Sequence, residues 1–250
     1  MKSIFNVITF LSSIVFLLVS QSVKAEEGEW TVFVEPYAQA TTISGDTAIG
    51  RGNEADITVD FDKILKNLHL GAMINIKAIH TSGWGAAINY AFMDLRGSAS
   101  GDIAAAKVRQ GELQAEIVYL QKHGDATLEY LLGLRWWDND IDLNLSTAQD
   151  RNIALRVDED WVDFFVGARW VAPINNEWSY MVRGDIGKGG TKFTSSVEAG
   201  IQYKLFKNGL LTLKYKSTWL NYENGTPGEV GYYKYDTVTH GPAIAYTHKF

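Results

Sequence analysis

The chain of 250 residues contains no cysteine and only four prolines. Without cysteine there is no disulfide, no thiol nucleophile and no attachment point for a lipoprotein anchor. Scarce proline leaves room for long strands, because a proline inside a sheet removes a ladder hydrogen bond. An excess of positive charge is also missing. The formal net charge is −6 at pH 7, so electrostatics gives no reason to expect nucleic acid as a partner. No phosphate-cradling glycine loop, metal-ligand spacing or internal repeat stands out, and neither a cofactor nor a metal is expected. After residue 25, no apolar run approaches the roughly 20 residues of a helical membrane span.

One apolar run does occur, at the start: "MKSIFNVITFLSSIVFLLVSQSVKAEEGEW". Lys2 forms a short positive region, residues 4–19 are almost wholly apolar or small, and Val23-Lys24-Ala25 is an acceptable cleavage signal before Glu26. The expectation is a secretory signal peptide over 1–25, with the remaining 26–250 forming a single domain. Lys2 and Lys24 would leave with it, moving the net charge from −6 to −8.

What the rest of the chain has in quantity is aromatic residues (12%, with eight tryptophans) and alternation. In "WTVFVEPYAQAT" (30–41), Trp30, Val32 and Val34 alternate with Thr31, Glu35 and Gln39. The same period of two predicts strands at 68–79, 84–92, 110–121, 127–137, 160–171, 178–187, 192–206, 210–220 and 233–250. These stretches are longer than the 5–6 residues usual in soluble sheets, and match the 9–11 that a tilted strand needs to cross a bilayer. The connections alternate in length. Those at 81–83, 122–125, 173–177 and 207–209 are short, those at 42–67, 93–109, 138–159 and 221–232 are long and polar, and only 188–191 breaks the series. Outer-membrane barrels have this asymmetry.

The two faces then separate. One carries Leu128, Leu132, Val162, Phe164, Val166, Val182, Val197, Ile201, Leu211 and Leu213. The other carries Glu35, Glu112, Glu116, Glu129, Asp163, Asp185 and Glu198 together with Lys77, Arg135, Arg169, Arg183, Lys204, Lys214 and Lys216. Lipid outside and a narrow lumen inside account for both, provided that the lumen charges pair or stay hydrated. The expected fold is all-β: a closed, antiparallel, up-and-down transmembrane barrel of ten strands, with eight as the alternative. The final strand alternates through Ile244 and Tyr246 to Phe250, and closure against the first strand would leave no open edge in lipid.

"WVDFFVGARW" and "EWSYMVRGDIGKGG" carry a resemblance to the small outer-membrane β-barrel proteins of Gram-negative bacteria, the OmpA/Opa-like porin-type group. Trp161, Asp163, Gly167 and Arg169 match the recurring strand of one uncharacterised branch, and Arg183, Asp185 and Gly187 its next hairpin; Phe164 replaces a common proline and Lys188 a common glycine. The resemblance implies residence in the outer membrane as a monomer, contact with its lipid and lipopolysaccharide, and recognition by the barrel assembly machinery. Tyr246 and Phe250 are the residues that would carry the assembly signal. It implies no activity.

From their parity, Glu129, Arg135, Asp163, Arg169, Arg183, Asp185 and Glu198 are expected to form a lumen charge network that fixes register, or an ion-guiding constriction. In "DFDKILKNL" (60–68), Phe61, Ile64, Leu65 and Leu68 share one helical face, as a cap on the first loop or a plug in the barrel mouth. Asp138, Asp140 and Asp142 form an acidic stretch suited to solvent or a divalent cation. His69, His80, His123, His240 and His248 form no recognisable nucleophile pair. Three roles remain open: a structural or surface-interaction barrel, a narrow channel for small polar solutes, and, behind both, a hydrolase. No catalytic residue is assigned.

Overall fold

The computed structural model describes residues 29–51, 54–98, 104–146 and 152–250; the candidate signal peptide lies outside them. Twelve strands are present: β1 (Trp30–Gln39), β2 (Thr42–Ile49), β3 (Ala55–Val59), β4 (Leu68–His80), β5 (Trp84–Ser98), β6 (Ala104–His123), β7 (Ala126–Ser146), β8 (Asn152–Pro173), β9 (Trp178–Gly189), β10 (Phe193–Phe206), β11 (Gly209–Asn224) and β12 (Tyr233–Lys249). One helix, α1 (Phe61–Asn67), precedes β4. Neighbours from β4 to β12 pair antiparallel in chain order, and β1 pairs with both β4 and β12, so the sheet closes.

Ten wall strands result, because β1 and β2 are two halves of one. Gln39 pairs with Ala243 and Thr42 with His240, so both halves run along β12. At the step between them, Ala40 N–H donates to the Pro242 carbonyl at 2.8 Å. The step needs Gly241, whose φ is +155° and where a Cβ would stand 1.8 Å from the Ala40 carbonyl oxygen. No side chain fits there. The helix among the described residues is too short to cross a membrane; the crossing is made by strands.

Alternation sorts the side chains as the sequence pattern implies. Ile88, Ile117, Leu134, Phe164, Val182 and Leu213 stand exposed on the outside as parts of a continuous apolar band. A patch of that extent is unusual on a soluble monomer and suits hydrocarbon. Aromatic rings border it at the end of the short turns, where Trp84 meets Tyr119 at 4.8 Å and Trp178 meets Tyr203 at 4.7 Å. Tyr246 and Phe250 belong to this girdle, with the His248 ring edge-on to Phe250 at 4.5 Å. Trp136, Phe193 and Trp219 stand exposed toward the opposite end.

Strand length departs from the sequence expectation. β6, β7 and β8 have 20, 21 and 22 residues. Most of the stretches read as long loops are hairpins that continue the ladder; the acidic stretch of Asp138, Asp140 and Asp142 lies within β7. Beyond the apolar band the outward face of a strand can carry polar residues to water, so backbone hydrogen bonds persist where the outward apolar alternation stops. The expected short helix is present. It lies, as expected, in the first long loop: α1 sits in the connection between β3 and β4, and its apolar residues Ile64 and Leu65 line a gap beside β1 and β4 rather than the barrel mouth.

Candidate functional site

The lumen is built from inward positions on every wall strand, and it has two parts. Toward the short turns it is charged and holds a cavity of about 270 Å³ lined by Glu35, Lys77, Glu116, Arg183 and Lys214, among others. Lys77 and Arg169 both donate to Glu129, at 2.6 and 3.1 Å. The Arg183 guanidinium grips Glu116 with two bonds of 3.2 and 2.8 Å. Lys214 pairs with Glu198 at 2.8 Å and approaches Glu35 at 3.7 Å, while Thr247 donates to Glu35 at 2.6 Å. Some of these contacts join neighbouring strands, as Arg169–Glu129 does, and others bridge strands that are not neighbours: Lys77 and Glu129 lie on β4 and β7, and Glu116 and Arg183 on β6 and β9. A polar cavity this size accommodates water between the pairs.

At the waist, Arg135 is 0% exposed. It reaches Asp185 at 2.9 Å, Glu112 at 3.2 Å and the Thr194 hydroxyl at 2.9 Å, and its guanidinium lies 4.9 Å from the centre of the Phe165 ring. Gln114 donates to Glu112 from below. Uncompensated burial of such a charge would be strongly unfavourable, so two carboxylates and a hydroxyl converge on it.

Beyond the waist the lumen turns aromatic. Trp137, Trp161, Tyr222, Tyr233 and Tyr235 pack with Val157 and Leu220 into one buried cluster. Trp161 and Tyr222 stack at 3.8 Å, and Tyr222 donates onward to Glu159 at 2.8 Å. This cluster fills the lumen between β7, β8, β11 and β12.

Of the residues singled out in the sequence, Glu129 and Arg169 meet, Arg135 meets Asp185, and Arg183 stands 3.9 Å from Asp185. Glu198 is paired with Lys214. Asp163 differs: among the described residues it touches no cation within ion-pair distance, although its register partner on β7 is Arg135. Its Oδ1 accepts the Thr191 N–H at 2.9 Å and the Thr191 hydroxyl at 2.7 Å, tying down the turn between β9 and β10. Lys204 stands exposed at the rim. Thr191 and Thr194 had no sequence signal beyond a hydroxyl near a turn. The inward tyrosines and tryptophans did: Trp161 shares the parity of Asp163, and Tyr222 that of Lys216.

Asp138, Asp140 and Asp142 are spread along the outward face of β7. Asp140 pairs with Arg109, and Asp142 lies 3.9 Å from Arg156. No group of three ligating side chains suited to a metal occurs among the described residues. Among the histidines, His69 lies 3.5 Å from Asp94. His80 stands between the Ser82 hydroxyl at 2.8 Å and Glu29 at 3.0 Å. His80 Nδ1, which faces the Ser82 hydroxyl, also accepts the Ser82 N–H at 3.1 Å, while Nε2 faces Glu29.

No family model matches the sequence, and no curated protein matches it. Solved structures do resemble the chain. The translocator domain of the autotransporter NalP from Neisseria meningitidis is 9% identical, with a TM-score of 0.43 over 98% of this chain and 96% of that one. Ail, the attachment invasion locus protein of Yersinia pestis, solved with the heparin analogue sucrose octasulfate, is 12% identical, with a TM-score of 0.38 over 88% of this chain and 98% of that one. The outer-membrane protease OmpT from Escherichia coli is 7% identical, with a TM-score of 0.51 over 92% of this chain and 99% of that one. The likeness to OmpT is one of fold, and it makes the chain's architecture that of a Gram-negative outer-membrane β-barrel.

Proposed function

We propose that the chain is a monomeric outer-membrane barrel with a structural or surface-interaction role, in which the lumen charges hold the wall together rather than conduct. In this reading residues 1–25 direct export and are removed. The short turns face the periplasm and the long hairpins face outward, where lipid and lipopolysaccharide surround them. Tyr246 and Phe250, on the outward face of the closing strand, present the pattern read by the assembly machinery. No catalytic role is assigned.

The observation that carries the reading is the filled lumen. Arg135 with its two carboxylates spans the waist, and the aromatic cluster occupies the space beyond it. A water-continuous pore would need both to move. The charged cavity of the periplasmic half is what favours the second reading, a narrow channel for small polar solutes. Planar-bilayer conductance of the purified chain separates the two. Membranes containing the folded protein should stay electrically silent. Steady openings that change when Arg183→Gln or Asp185→Asn is introduced would overturn the structural reading and make the same charges a filter.

A further inference from the structure

The barrel wall has a seam. β1 pairs with β4 only from Trp30 to Pro36, opposite His80 to Ile74. Beyond Pro36, β1 keeps β12 as its partner, β2 takes β3 on its other edge, and residues 70–73 of β4 pair with β5 alone. The gap left between β1 and β4 is a cavity of about 170 Å³, faced by Ile64 and Leu65 of α1. Its walls include outward residues of the lipid band (Ala38, Ala72) and inward residues of the lumen (Gln39, Met73). Residues of opposite parity line one cavity only where it passes through the sheet.

At its inner end the seam meets a small lumen cavity, with which it shares Tyr37, Gln39, Thr41 and Met73. Two polar groups wait there. The Gln39 side-chain nitrogen is buried with no hydrogen-bond partner. Lys216 lines the inner cavity at 8% exposure, with no ion pair or hydrogen bond among the described residues; its cross-strand neighbour Glu198 is taken by Lys214. Glu112, also on that cavity, is engaged by Arg135 and Gln114. A buried amide without a partner is costly unless something binds it, and Lys216, which also lines the charged cavity near Glu198 but forms no close pair with it, leaves an ammonium open to a further anion.

We propose that the seam is a lateral binding slot for one long-chain fatty acid. The carboxyl end of the acyl chain lies between α1 and β4 and the remainder extends into the surrounding hydrocarbon, while the carboxylate is held by Lys216 and the Gln39 amide inside the wall. The slot's apolar lining selects the chain, and the cation at its inner end selects an anionic head. The site goes beyond the structural reading of the lumen and stands whether or not the barrel conducts.

The test uses the chain purified from membranes in a non-ionic detergent and a palmitate probe with a photoreactive diazirine at mid-chain. Labelled peptides should map to 36–41, 61–74 and 92–93, and unlabelled palmitate should compete at least fivefold better than hexadecanol. Gly71→Phe, which fills the slot from β4, should cut labelling at least fivefold while the barrel keeps its heat-dependent gel mobility. Should that variant not fold, Ala38→Leu narrows the slot from the other wall and should cut labelling by about half or more. Lys216→Met should keep the label and abolish the preference for palmitate over hexadecanol. Labelling spread evenly around the outer band, around Ile88 and Val182 for example, would overturn the slot, as would labelling unchanged in a folded filled variant. Equal competition by palmitate and hexadecanol in the unaltered protein would overturn the placement of the carboxylate.

Discussion

The two halves of the lumen answer the same problem with opposite chemistry. Toward the short turns the interior is occupied by ion pairs around a cavity; toward the long hairpins it is occupied by stacked rings with Val157 and Leu220. The wall is the same antiparallel ladder throughout, and the same parity points inward. What differs is tolerance. Rings fill space by shape, and a shortened ring leaves a hole that neighbours partly fill. Charges fill it by matching, and one lost partner leaves another charge without compensation. The charged half therefore specifies register more sharply, because Glu116–Arg183 and Lys77–Glu129 form only when distant strands stand in one alignment.

That contrast can be broken at its most buried point first. Arg135→Met should lower stability by about 3–5 kcal/mol, since Glu112 and Asp185 lose their shared cation while fully enclosed. Unfolding by urea of the barrel refolded in lipid vesicles measures it, and adding Asp185→Asn to Arg135→Met should recover part of the loss. In the aromatic half, Trp161→Ala should come next, at about 3 kcal/mol, through the cavity left beside Tyr222. Its signature differs: no second-site charge change should rescue it, and near-ultraviolet circular dichroism of the stacked rings should fall. Glu129→Gln should matter less, at about 1–2 kcal/mol, because water in the adjoining cavity can solvate Lys77 and Arg169. A loss as large as that of Arg135→Met would show that the charged half is as dry as the waist. The smallest effect is expected at the exposed hairpin end, where Lys192 pairs with Glu223. Lys192→Ala should leave the unfolding midpoint unmoved at physiological salt, as exposed pairs are screened.

Much of the fold was legible before any coordinates. Outward Leu132, Val166 and Leu213 and inward Glu116, Arg135 and Lys214 follow from a period of two, because a strand has only two sides and one of them must meet lipid. The hairpin extensions were not legible, since Asp138, Asp140 and Asp142 occupy the outward positions where apolar residues stand earlier in β7, and the stretch reads as loop. For the lumen, parity put Arg183 and Glu129 inside but could not name their partners. Glu116 and Lys77 come from strands far along the chain, and Asp163, with Arg135 as its register partner, binds Thr191 instead.

Sequence alone thus determined the class of wall and the side of it on which each residue stands, because alternation is a local property fixed by backbone geometry. Tertiary structure alone decided which charge meets which, that rings fill the half toward the long hairpins, and that the first wall strand steps at Gly241 and parts from β4. Those outcomes depend on the closed circumference of the barrel, across which side chains from opposite walls meet, and no local pattern encodes that distance.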